Sequence, residues 1–171
     1  YILSPPEPIQ IYLYRCDARF HTEHLAEFLK DKETFGIVVL DSSNAVFATV
    51  RGKSLEIVKQ ISSGIPGKFR AGGQSAKRFD RQREAKMQEF FSRVGEHANE
   101  IFLPIENLKS LLLGGPGPTK FDFDKGNYLQ YTLKEKIVAT IDTSYVNDRG
   151  VEEVVEKSEE ILRRIRYVEE K

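Results

Sequence analysis

The spacing of apolar positions changes character several times along the chain, and each change predicts an element. "FGIVVLD" (35–41) is apolar and β-branched, "DSSN" (41–44) is turn chemistry, and "AVFATVRG" (45–52) is strand-like again, which predicts a hairpin. "KSLEIVKQISS" (53–63) is compatible with strand or helix. With only Gly52 and Lys53 before it, a third meandering strand is the expectation. From Ser75 to Val94 there is neither Gly nor Pro and good helix formers dominate, so a long helix is predicted. Met87, Phe90, Val94, Ala98 and Ile101 recur at spacings of three and four, whereas 75–86 carries mainly charge. That helix should therefore leave the body and project its first turns, and Gly95 should interrupt it. Beyond Pro104, "NLKSLLLGG" reads as a strand, "GPGPTKFDF" as a rigid loop and "NYLQYTLKEK" as a helix; "IVATIDTSY" reads as a buried strand and "GVEEVVEKSEEILRRI" as a helix. Upstream, "IQIYLYR" alternates after Pro5, Pro6 and Pro8, as an edge strand would. "TEHLAEFLKD" places Leu25, Phe28 and Leu29 at helical spacing, as a hinge helix that ends near Asp31.

The order after residue 31 is βββ, then α, β, α, β, α. Strands alternating with helices predict an α/β fold, a mixed sheet flanked by helices, in the order also found in ribonuclease H-like domains. The 171 residues are 40% apolar, enough for one real core. Lys plus Arg number 26 against 26 Asp plus Glu, so any nucleic-acid contact must be local. One cysteine, Cys16, excludes an intrachain disulfide and fits a reducing compartment. No stretch approaches the roughly 20 apolar residues of a membrane span. The chain opens at Tyr1 without an initiator Met, so a piece of a longer protein is the expectation.

Charge is concentrated in one place. Between Lys68 and Arg93 lie eight bases (Lys68, Arg70, Lys77, Arg78, Arg81, Arg83, Lys86, Arg93) and three acids (Asp80, Glu84, Glu89), a local charge of +5. This is either an anchor for phosphates or a solvated helix face whose acids pair with neighbouring bases. Just before the helix stand Gly72, Gly73 and Gln74. Two residues without Cβ let the backbone approach another surface closely, and a plain turn with Ser75 as N-cap accounts for one glycine better than for two. The GxxxxGK[ST] and GxGxxG phosphate-loop spacings are absent. Glutamine is a poor general base, yet its amide can donate to and accept from a water, and its backbone N–H could stabilise an oxyanion in a catalytic centre that the loop enters.

"RAGGQSAKRFDRQRE" (70–84) resembles the GGQ signature of archaeal and eukaryotic class I peptide-chain release factors. "YRCDARFHTE" resembles their YxCxxxF motif, with Tyr14, Cys16 and Phe20 at the matching positions. The resemblance extends over essentially the whole chain, and "GPGPTKFDF" and "IVATIDTSY" look like the archaeal branch. It implies a Y-shaped cytoplasmic protein, acting as a monomer, whose first domain reads UAA, UAG and UGA in the ribosomal A site. The middle domain carries GGQ into the peptidyl transferase centre and the third binds a translational GTPase. Gly72, Gly73 and Gln74 would then promote hydrolysis of the P-site peptidyl-tRNA ester, Gln74 being open to methylation on its amide. Lys68, Arg70, Lys77, Arg78, Arg81 and Arg83 would hold ribosomal RNA, and Tyr14, Cys16 and Phe20 would line the stop-codon pocket. Residues 1–31 correspond to the last strand and hinge helix of the decoding domain, 32–166 to the middle domain and 167–171 to the start of a linker. The family's NIKS decoding loop and its third domain lie outside this sequence. No cofactor and no metal is implied, and catalysis belongs to the ribosomal site that the loop would complete.

Other residues carry competing readings. His21 and His24 with Glu23 lack an HExxH pattern and nearby cysteines, and read as an ordinary surface pair. Asp41 and Asp142 at predicted strand ends, with Asp122 and Asp124 nearby, permit a two-metal nuclease of the ribonuclease H-like kind, or simply cap turns. A ribosome-rescue paralogue would share the architecture, but such paralogues lack GGQ.

Overall fold

The computed structural model describes residues 33–65 and 76–169. The chain divides into two compact units, Tyr1–Asp31 and Lys32–Lys171, and every described residue belongs to the second. Among the described residues the strands are β1 (Thr34–Leu40), β2 (Asn44–Arg51), β3 (Ser54–Ser62), β4 (Leu108–Gly115) and β5 (Ile137–Asp142). The helices are α1 (Ala76–Phe102), α2 (Thr119–Lys125), α3 (Tyr131–Lys134) and α4 (Asp148–Glu169). One mixed sheet runs in the order β3-β2-β1-β4-β5. β1 to β3 form an antiparallel meander, and β4 and β5 add in parallel beside β1.

Every residue of β1 is buried because its two faces meet different layers. Val38 and Leu40 join Phe47, Leu111 and Leu113 beneath Phe90, Phe91, Val94, Ala98 and Phe102 of α1, with Phe123 of α2 and Leu133 of α3. Ile37 and Val39 face the other way and pack with Val46, Leu112 and Ile141 against Val151 and Val154 of α4. The period-two alternation thus fills two cores from one strand. β3 is an outer strand with most of its residues exposed. Its pairing with β2 shifts register between Phe47 and Ala48, leaving Val58 between Ile57 and Lys59 without a partner. A bulge of this kind, with Lys53, Glu56 and Lys59 around it, discourages pairing with another chain.

Four details differ from the expectations. α1 runs unbroken through Gly95, because the residue serves close packing: a Cβ there would stand 2.2 Å from the Tyr128 carbonyl oxygen. "GPGPTKFDF" is only partly loop, since Thr119–Lys125 is helical. The Pro118 carbonyl accepts from the Phe121 and Asp122 amides, and Phe123 is anchored between Phe91 and Tyr128 with ring centroids 5.7 Å from each. In "NYLQYTLKEK" only Tyr131–Lys134 is helical, and the backbone N–H of Gln130 instead donates to Asn99 Oδ1 of α1. β5 is an edge strand and only half-buried, with Val138 exposed at a register shift against β4. The observed order is therefore βββαβααβα, one short helix more than expected.

Candidate functional site

The candidate site is the connection between β3 and α1. Its central residues, Gly72, Gly73 and Gln74, lie outside the described residues, as do Lys68 and Arg70 and all of Tyr14, Cys16, Phe20, His21 and His24. What the structure supplies is the two roots on which that connection stands.

The first root is the end of β3. The Ser63 amide donates to the Ser43 carbonyl at 2.7 Å, and Ser63 Oγ accepts from the Ile65 amide at 3.1 Å. Gly64 sits at φ +66, the left-handed region that turns the chain out of the strand at no steric cost. Ile65 then packs back on the core beneath α1. From the opposite side Arg93 Nη2 donates to the Ser62 and Ser63 carbonyls at 3.3 and 3.2 Å, its guanidinium 5.5 Å from the centroid of the Phe90 ring. Arg93 thereby ties α1 to the strand exit. It counts toward the +5 of the basic run, but here it serves this clasp. Nothing in its sequence context separates it from Arg78 or Arg81, because the partners are carbonyls 30 and 31 residues away.

The second root is the outer half of α1. At 1.5 Å per residue the 27-residue helix is about 40 Å long. Its buried positions begin at Phe90. From Arg78 to Glu89 only Arg83 and Met87 are even partly covered. Arg78, Arg81 and Lys86 are exposed, Arg83 is half-buried, and the backbone of Lys77 lies in the first turn. Among the described residues none of Arg78, Arg81, Arg83 and Lys86 forms an ion pair with Asp80, Glu84 or Glu89. The first turn holds no acidic residue, so the positive end of the helix dipole adds to the charge of the arm. A solvated face laced by internal pairs is not what the chain builds here. Among the described residues the outer half of α1 is a cationic stretch whose Arg78, Arg81, Arg83 and Lys86 form no ion pair, and it runs on into the core at Phe90. One aromatic ring, Phe79, stands 65% exposed among these bases, a feature the charge pattern concealed.

The carboxylates of the nuclease reading are occupied in other ways. Asp41 Oδ1 accepts from the Ser43 and Asn44 amides, both at 2.7 Å, and so caps the β1–β2 turn. Asp142 Oδ1 accepts from Lys120 Nζ at 2.5 Å, and Lys157 Nζ donates to the Asp142 carbonyl oxygen at 2.6 Å. The hydrogen bond and the charge of Lys120 hold the Asp142 carboxyl below its ordinary range. Lys120 itself is fully buried and also donates to the Gly117 carbonyl. Asp122 is exposed on α2 and Asp124 is partly covered. Among the described residues no group of three or more His, Cys, Asp or Glu is arranged to hold a metal ion, and no helix is long and apolar enough to cross a membrane.

The described residues define an α/β domain in which a mixed five-stranded sheet and a long cationic helix flank the segment that holds Gly72, Gly73 and Gln74 in the sequence. The chain belongs to the eRF1 family: the profile of eRF1 domain 2 matches residues 34–164 and that of eRF1 domain 1 matches residues 1–30. It is 47% identical over 171 residues to peptide chain release factor subunit 1 of Methanobrevibacter smithii, covering 100% of this chain and 42% of that protein. To the protein of the same name from Pyrococcus abyssi it is 46% identical over 172 residues, covering 99% of this chain and 42% of the relative. Among solved structures it is similar to the archaeal translation termination factor aRF1, with a TM-score of 0.67 and 32% identity over 90% of this chain and 42% of that one. It is also similar to a chain of a model of ribosome-bound archaeal Pelota and ABCE1, with a TM-score of 0.56 and 28% identity over 84% of this chain and 38% of that one. The chain thus spans about two fifths of the length of the relatives it matches.

Proposed function

We propose that this chain is the peptide-releasing segment of a class I translation termination factor. The observation that carries the reading is the mounting of Gly72, Gly73 and Gln74. One side of the connection leaves a strand exit clasped by Arg93, and the other enters an arm whose Arg78, Arg81 and Arg83 have no acidic partner among the described residues. Relatives at 46 and 47% identity that bear the name peptide chain release factor subunit 1 support it.

In the chemistry proposed, the cationic arm passes between ribosomal RNA phosphates and the glycine pair lets the backbone enter the peptidyl transferase centre. The Gln74 amide holds a water whose oxygen attacks the ester carbonyl carbon of P-site peptidyl-tRNA. A backbone N–H at Gln74 faces the oxyanion that forms, a class of donor whose loss costs about a hundredfold in rate. The bond between carbonyl carbon and ribose oxygen then breaks, the proton passes to that oxygen, and a free peptide carboxyl leaves. The protein supplies no nucleophile of its own. Residues 1–31 are read as the end of the stop-codon-decoding domain, with Tyr14, Cys16 and Phe20 facing UAA, UAG or UGA. Residues 32–166 are the middle domain, and 167–171 lead toward a third domain that engages a translational GTPase. The whole factor works in the cytoplasm on the ribosome. The alternative is a ribosome-rescue paralogue that does not hydrolyse the ester, and the intact Gly72, Gly73, Gln74 run favours release instead.

The test places this sequence in the Methanobrevibacter smithii relative, in place of the 42% it matches, and measures stop-codon-dependent peptide release from programmed archaeal ribosomes. Release should fall about a hundredfold in Gly73→Ala while ribosome binding persists. Binding without any release by the unsubstituted chimera would overturn the reading.

A further inference from the structure

Phe79 and Phe90 lie eleven residues apart on α1, three turns and within about 20° of the same face. Phe90 is fully buried in the core, whereas Phe79 is 65% exposed. Among the described residues Phe79 makes no ring contact and no cation–π contact. Arg83 follows one turn along and Lys86 about two, on the same face, with Arg78 and Asp80 to the sides and Arg81 nearly opposite.

Single exposed apolar residues are common on protein surfaces and need no explanation by themselves. Three observations set this one apart. No other large apolar side chain is exposed between Arg78 and Glu89, so there is no patch of the size a protein partner requires. The ring is flat, and one flat ring is all that a single nucleobase needs, because every base has a π-face. Arg83 and Lys86, which share its face, form no ion pair among the described residues, so two free cations stand where a phosphate backbone would flank a base. Leu or Met would serve the helix better at this position, since aromatic residues lose side-chain freedom there.

We infer that Phe79 is a stacking platform for an unpaired nucleobase of RNA, with Arg83 and Lys86 on the phosphates beside that base. The inference deepens the ribosomal reading above: phosphate contacts by the arm confer affinity without sequence, and the ring adds a contact only a splayed-out base satisfies.

The chain contains no tryptophan, so Phe79→Trp introduces a single reporter that retains a flat ring. The probes are a short single-stranded oligoadenylate, an abasic strand of the same phosphate count, and isolated archaeal large ribosomal subunits. The unsubstituted chain should bind the oligoadenylate about tenfold more tightly than the abasic strand. Phe79→Ala and Phe79→Leu should both remove that preference and leave the slope of affinity against salt unchanged, and Phe79→Trp should keep the preference, its emission quenched on binding. On large subunits Phe79→Ala should weaken binding about tenfold at an unchanged salt slope. Equal binding of the two strands by the unsubstituted chain, or full retention of the preference in Phe79→Leu, would overturn the inference. The strands test the ring independently of the ribosome: a base preference with no release by the chimera removes only the functional reading, and release with no base preference removes only this one.

Discussion

The two halves of α1 are built from the same residue types and treated in opposite ways. In the inner half Phe90 is buried in the core and Arg93 spends its guanidinium on two carbonyls and a ring. In the outer half Phe79 and Arg78 are exposed, and among the described residues neither has a partner. A helix needs only backbone hydrogen bonds and tolerable side chains to persist, so it can continue beyond the sheet that buries its first contacts. The lesson is that the outer half is held by propensity and the inner half by packing.

The largest effect expected from that division is in the core. Phe90→Ala should lower the free energy of unfolding by about 3 to 5 kcal/mol, whereas Phe79→Ala should change it by less than about 0.5 kcal/mol. Urea unfolding of both variants checks the contrast; a comparable loss at Phe79 would mean that its ring is part of the body. Next in size is a reversal of the usual glycine rule. Gly95→Ala gains helix propensity, but its new Cβ would stand 2.2 Å from the Tyr128 carbonyl oxygen and 2.8 Å from the carbonyl carbon. Backbone must move, and a net loss of about 2 kcal/mol is expected. In the outer half Ala85→Gly has nothing to clash with and should lose about 1 kcal/mol through propensity alone. A stabilised Gly95→Ala protein would show that the inner half is not packing-limited.

How far this division was legible varies by element. The meander, the long helix and the uneven stripe from Met87 to Ile101 followed from periodicity, because each signal is local. Gly95 reads as a break in the sequence because a helical glycine and a packing glycine look alike until Tyr128, 33 residues on, is placed against it. The helix at Thr119–Lys125 was hidden by the prolines before it, although proline readily starts a helix. Of the site, the glycines, glutamine and basic run were legible as chemistry, and their family was legible from motif order. Arg93's clasp and the ring of Phe79 were not, since which cations are spent depends on carbonyls and layers far away in sequence.

A smaller effect separates the body's cations from those of the arm. Lys120 is fully buried, with Asp142 and the Gly117 carbonyl as its acceptors, so Asp142→Asn leaves a buried ammonium short of its counter-charge and should lower the melting temperature near neutral pH. The folded-state pKa of Asp142 is depressed, so its contribution is fully present above the unfolded-state value and is lost as pH falls through the folded-state value. The difference between the two proteins should therefore be constant around neutrality and close in acid. Because the carboxylate itself is largely exposed, solvent screens the pair and the gap should be modest. A gap that persists in acid would assign the loss to geometry instead of charge.

The smallest effect has the opposite sign. Arg78 is a cation at the positive end of a helix dipole, in a first turn without an acid, an arrangement that costs stability. Arg78→Glu should therefore stabilise the fold by a few tenths of a kcal/mol at low salt, and the gain should vanish as salt screens it. If Arg78 makes the proposed phosphate contact, the same substitution should weaken binding to large ribosomal subunits and reduce the salt slope by about one unit or more, since repulsion would replace it. Thermal unfolding and subunit binding on one preparation measure both. A variant less stable than the parent would mean that Arg78 serves the body after all, and the boundary between the two halves of α1 would have to move outward past it.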